Sequence, residues 1–150
     1  MANQSATKLY TPNLLALAAS LADFPLDKEF AQRAEGRSRT CGSTIEIGVD
    51  LDGEGRVSRL GMQVSACAIG QSSAAIMAAG AKGQIAQEML GTKHAIEAWL
   101  GAEREEDALL PDWPGFDALK PAWHHKGRHG ALLLAWDTLT RALSSEPGRR

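Results

Sequence analysis

Residues 44–65 constrain the fold more than any other stretch of the chain. Thr44-Ile45-Glu46-Ile47-Gly48-Val49-Asp50-Leu51 alternates apolar and polar side chains, the period of a strand with one buried face. Asp52-Gly53-Glu54-Gly55 follows, a turn sequence with glycines where positive φ is wanted. Arg56 to Ser65 then returns with Val57, Leu60, Met62 and Val64, and the Leu60-Gly61 step predicts a bulge or a change of phase. A hairpin of this size needs a third strand or a helix to cover its apolar face. The polar stretch from Phe30 to Arg39 supplies a first strand, so the expected sheet is a three-stranded antiparallel meander.

The flanking segments read as helices. Thr11-Pro12 opens an N-terminal helix to Asp23, with Thr11 as cap, Pro12 in the first turn and Leu14, Leu17 and Leu21 on one face. After the hairpin come a Ser/Ala/Met helix over 68–79, a break at Gly80–Gly83, and a helix over 85–100 with a weak point at Gly91-Thr92. A charged, solvated run follows at 103–107. Then come a loop at 111–115, a short helix over 116–123, a loop holding His124, His125 and His129, and a last helix over 131–143. Strands first and helices after predict an α+β domain with helices packed on one face of the sheet. The 150 residues suit a single domain, with its core at about 9–143 and a frayed tail at 144–150.

Composition narrows the function classes. A net charge of −2 gives no electrostatic basis for binding nucleic acid. Two cysteines cannot make a disulfide framework. The apolar run at 14–22 has only Lys8 as a basic leader and is preceded by Pro12, so a helix is expected there and not a cleaved signal. With no apolar stretch long enough for a membrane span, a reducing cytoplasm is the expected setting. No nucleophile–base–orienter set or phosphate-cradling loop is present, so no enzyme activity is expected.

The two cysteines sit where thiolates are favoured. Cys41 lies on a glycine-bearing turn between strands, and Cys67 lies at the start of the Ser/Ala/Met helix, where backbone N–H groups favour an anion. In a meander the ends of the first and third strands share one edge, so topology brings both thiols to one end of the molecule. The loop with His124, His125 and His129 can reach the same end. Cys with His makes a soft site for zinc, ferrous iron or an iron–sulfur cluster. Without CxxC spacing, the residues equally fit small buried cysteines and a polar loop.

The ordered set Cys41-Gly42, a β-hairpin, Cys67-Ala68-Ile69 with its Ser/Ala/Met helix, Lys82-Gly83, and Arg128 shortly before Leu134-Ala135-Trp136 resembles the iron–sulfur cluster assembly scaffolds of the IscU, SufU and NifU N-terminal type. The resemblance spans about Leu9 to Leu143 and is strongest from Gly61 to Gly83. It implies a scaffold or carrier that receives sulfur from a cysteine desulfurase and passes an iron–sulfur cluster, or holds iron or zinc, toward acceptor apoproteins. Carried over by position, Cys41 and Cys67 match the first two ligand cysteines. Ser43 stands in place of the family's Asp, Ala66 in place of a Gly, and Ala131 in place of the third cysteine, with His129 two residues away as the substitute ligand. The incomplete set admits four outcomes: completion by a histidine, a cluster shared in a homodimer, completion by a small thiol or partner, or a degenerate metal-free interaction module. A sulfur-acceptor role is a further alternative. By its helix-start position, Cys67 is expected to be the stronger ligand or acceptor.

Overall fold

The structure is a computed structural model that describes residues 11–27, 29–39 and 41–144. Three strands form one antiparallel sheet in the order β1-β2-β3: β1 Gln32–Arg37, β2 Thr44–Leu51 and β3 Val57–Ser65. Four α-helices accompany them: α1 Pro12–Ala19, α2 Ala68–Ala81, α3 Ala86–Gly101 and α4 His129–Ser144. A 3-10 turn extends α1 over Ser20–Asp23, and three 3-10 segments, Glu105–Asp107, Phe116–His124 and Lys126–Arg128, link α3 to α4. The domain is α+β, as the sequence predicts.

Alternation decides which face of the sheet is buried. Ile45, Ile47, Val49, Val57 and Met62 enter the core, while Arg33, Glu46, Asp50 and Arg59 lie on the opposite face and pair there. The first strand is shorter than the 30–39 span expected from sequence. At its start the Ala31 N–H donates to Asp50 Oδ1, and at its end the Ser38 N–H donates to the Ser43 carbonyl, closing a turn. The bulge expected at Leu60-Gly61 is absent: Gly61 pairs directly with Gly48, and the register shifts instead between Asp50 and Leu51. The glycine pair serves close approach. A Cβ at either position would collide with the Phe30 ring, and at Gly61 also with the Pro25 carbonyl. In the hairpin turn, positive φ is taken by Gly55 alone of the two glycines, while Asp52 Oδ1 accepts from the N–H groups of Glu54 and Arg56.

The helices bury the inner face. Thr11 caps α1 by accepting from the Leu14 N–H at 3.2 Å. α2 runs through Gly80, where the missing side chain admits the Trp113 ring, and the chain reverses at Gly83 with φ +89°. α3 passes Gly91-Thr92 without a break. α4 begins two residues before the expected start, so His129 lies on a helix and not in a loop. Gly36 lets α4 approach β1 at Thr138, and Gln32 Nε2 donates to the carbonyls of Ala142 and Leu143. The charged run at 103–107 is exposed. Of the expected frayed tail, Ser144 still closes α4 and the rest lies outside the described residues.

Polar groups join α2 to α4 within the core. Ser73 is fully buried; its hydroxyl donates to the Leu132 carbonyl at 2.7 Å and accepts from Trp136 Nε1 at 2.8 Å. Ser72 donates to the Leu14 carbonyl at 2.7 Å, tying α2 to α1. The small residues of α2 therefore bring helices close together and satisfy buried groups. Replacing Ser73→Ala leaves the Trp136 N–H without its acceptor and is expected to cost about 2 kcal/mol. Ser65→Ala, at an exposed position, should stay within about 0.5 kcal/mol. Urea unfolding of the two variants beside the parent chain measures both.

Candidate functional site

Strand register places both cysteines at one end of the sheet. Arg37 pairs with Thr44, and Thr44 pairs with Ser65, so the end of β1, the start of β2 and the end of β3 lie abreast. Cys41 sits in the turn between β1 and β2, and Cys67 two residues beyond Ser65. Both thiols are free. The sequence expectation that topology brings them to the same edge agrees with this register.

Cys41 is exposed on a turn shaped by Gly42, whose φ of +70° is natural only to glycine. The Gly42 N–H donates to the Ser38 carbonyl at 3.0 Å, folding the turn back on itself. The Cys41 thiol donates to Ser38 Oγ at 3.3 Å and lies 2.9 Å from Ser43 Oγ. Both serines are buried, so the exposed sulfur rests on two hydroxyls held by the fold. Hydroxyls rotate, and either can donate to a thiolate. The side chains of Ser38 and Ser43, then the Ser43 backbone N–H, hold the thiol below its ordinary value of 9.0. Partial burial opposes them, and the positive charge of Arg128 adds to them.

Cys67 is the N-cap residue of α2, half-buried against the edge of the core, and its side chain makes no capping hydrogen bond. Its carbonyl instead accepts from the Gln71 N–H, and the Gln71 amide donates to the Ala66 carbonyl. The helix-start placement is as expected from sequence. The hydroxyl-rich environment that favours a thiolate surrounds Cys41, a feature the sequence reading passed over in assigning the advantage to Cys67. Its signal was present as Ser38-x-x-Cys41-x-Ser43 around a glycine turn.

The segment before α4 does reach this end of the molecule. Arg128 acts electrostatically on Cys41, and Ala131 lies against Gly70 in the first turn of α2, where a Cβ on the glycine would be 3.4 Å from that of Ala131. The rings of His124 and His129 have partners of their own. His129 Nε2 is 3.2 Å from the Ala122 carbonyl and 3.0 Å from the Trp123 carbonyl. Two carbonyl acceptors put a proton on Nε2, so that nitrogen is not a metal ligand and the ring's free lone pair is on Nδ1. His124 Nε2 contacts Glu105 at 2.6 Å, and the His125 N–H closes a turn onto the Ala122 carbonyl. Among the described residues no three His, Cys, Asp or Glu side chains form a group able to hold a metal ion.

The α+β architecture is shared with solved structures of NifU-like and SufU proteins. A NifU-like N-terminal protein from Brucella abortus superposes with a TM-score of 0.80 at 26% identity, covering 94% of this chain and 96% of that one. A protein described as an iron–sulfur cluster assembly scaffold for the SUF system, from Fervidobacterium islandicum AW-1, gives 0.75 at 23% identity over 90% of this chain and 96% of its own. No family model matches the sequence, and no curated protein does. No helix among the described residues is long and apolar enough to cross a membrane.

The hydroxyl environment of Cys41 has a measurable consequence. Donors that stabilise the thiolate raise its fraction at a given pH, so iodoacetamide should alkylate Cys41 with a half-maximal pH below 9.0. Ser43→Ala removes one donor and moves that midpoint upward. Near neutral pH its alkylation should be roughly fivefold slower, equivalent to one hydrogen bond of about 1 kcal/mol. Peptide mass spectrometry of the labelled chain separates Cys41 from Cys67.

Proposed function

We propose that this chain is a scaffold or carrier in iron–sulfur cluster assembly, with iron or a cluster as its cargo and Cys41 and Cys67 as the ligands it contributes. The observation that carries this reading is the convergence of the two thiols at one sheet end, on the fold of NifU-like and SufU proteins. Cysteine desulfurase is the proposed sulfur source and apoproteins are the proposed acceptors, in a reducing cytoplasm. The chain itself catalyses no reaction in this role. It exposes one thiol, half-buries the other, and supplies a cationic neighbour that favours the anionic forms of both sulfur and cluster. Zinc at the same thiols is the simplest substitute cargo.

Anaerobic reconstitution with iron, sulfide and a desulfurase tests the proposal. Visible absorbance from a bound cluster is expected, with iron found by metal analysis. Cys41→Ser and Cys67→Ser should each abolish it. No absorbance together with neither iron nor zinc overturns the reading.

The exposure of Cys41 and its hydroxyl neighbours favour one alternative, a sulfur acceptor without bound metal. In that reading the Cys41 thiolate takes the outer sulfur of a desulfurase persulfide and returns the donor cysteine as a thiolate. Mass spectrometry after desulfurase treatment distinguishes it by one sulfur added on Cys41, retained when iron is withheld. A metal-free docking module would instead bind the desulfurase unchanged when both cysteines are replaced.

A further inference from the structure

A groove of about 570 Å³ lies between the end of α3 and the 3-10 segments that follow it, and neither cysteine lines it. Trp99, Trp123, Ala108 and Leu110 give it an apolar lining, and the exposed Glu105, Glu106 and Lys120 bring charge to it. Contacts within the fold hold these parts together. Trp123 Nε1 donates to the Trp99 carbonyl at 2.8 Å, and the Trp99 ring stands edge-on to Phe116, with ring centroids 5.3 Å apart. Glu105 meets His124 Nε2 at 2.6 Å, which ties the charged run at 103–107 to the segment that carries Trp123. Pockets of this size and lining commonly hold a ligand.

Two observations indicate what this one takes. Leu109, between the lining residues Ala108 and Leu110, is 86% exposed, the most exposed large hydrophobic side chain among the described residues. One exposed leucine is ordinary, but one beside an apolar groove enlarges the patch left to water. The charge is also lopsided. Residues 97–117 hold seven of the chain's 18 carboxylates and only one, Arg104, of its 16 lysines and arginines. All seven carboxylates are exposed. Arg104 is shared between Glu106 at 3.2 Å and Asp107 at 3.0 Å, so it offsets one of the four carboxylates in the 103–107 run. Such a field attracts cations and repels phosphate-bearing surfaces.

We propose that this groove docks a segment of a partner protein in which apolar side chains are flanked by lysine or arginine. The apolar side chains would rest on Trp99, Trp123 and Leu110, and the cations would meet Glu105 and Glu106. Complementary charge of this kind speeds encounter and rejects acidic competitors, while the apolar contact supplies affinity. Lys120 opposes the cations of such a partner and tempers its binding. The site shares no residue with the proposed cargo ligands, so the two readings stand or fall separately.

NMR titration of the isotope-labelled full chain with the synthetic peptide KRLLKR tests this, beside KRSSKR and EDLLED. KRLLKR should shift the Trp123 indole N–H and the amides of Ala108, Leu109 and Leu110 in a saturable way. KRSSKR should bind about tenfold more weakly, for want of leucines to bury, and EDLLED more weakly still. Glu105→Gln with Glu106→Gln should weaken KRLLKR about fivefold, and Lys120→Glu, which removes the opposing charge, should tighten it about threefold. Lys120 is exposed and lies outside the Glu105–His124 contact, so its variant keeps the test decisive if the double variant disturbs that contact. Shifts that bypass Trp123 and residues 108–110, equal binding of the three peptides, no tightening by Lys120→Glu, or self-association of the chain through these residues without peptide would each overturn the inference.

Discussion

The contact between α2 and α4 sets the position of everything at the cysteine end. Ser73 sits between the Leu132 carbonyl and the Trp136 indole, fully buried and with both bonds short. A buried hydroxyl with two partners defines a register as well as a distance, because any slip leaves polar groups unsatisfied in a dry core. One turn toward the N-terminus, Gly70 and Ala131 meet with no side chain larger than a methyl between the helices. The start of α2 carries Cys67, and the residues just before α4 include Arg128. Aromatic packing then surrounds the clasp, with Trp113 and Phe116 edge-on to Trp136.

Most of the fold was legible because its signals are local. Alternation over 44–51 predicts β2 with its observed ends, and Thr11-Pro12 predicts the start of α1. What the sequence concealed were contacts between segments far apart in the chain. Gly61 reads as a bulge from its neighbours alone, yet it is glycine because Phe30 and Pro25 cross the sheet there. The Gly80–Gly83 stretch reads as a helix break. Gly80 is instead helical and small to admit Trp113, and only Gly83 reverses the chain.

The same division holds at the site. The shared sheet end of Cys41 and Cys67 follows from strand order, which sequence patterning conveys. The role of His129 did not, because it turns on where α4 begins. Starting the helix at His129 directs its ring to the carbonyls that end the preceding 3-10 turn. Ser43 was read through the ligand it replaces, and its hydroxyl beside the Cys41 sulfur was visible only in three dimensions.

Set beside the Asp that the family resemblance implies at its position, Ser43 gives the turn different electrostatics as well as a different ligand count. A carboxylate beside Cys41 would repel a thiolate and raise its pKa, whereas a serine hydroxyl donates to it and lowers it. Serine adds no charge beside Cys41, and its hydroxyl helps hold that thiol below its ordinary value. Ala131, at the place the resemblance gives to a third cysteine, likewise adds no negative charge. Cys41 and Cys67 are thus the sulfur donors at this end of the sheet, and the exposed one rests on hydroxyls where a charge would oppose its thiolate.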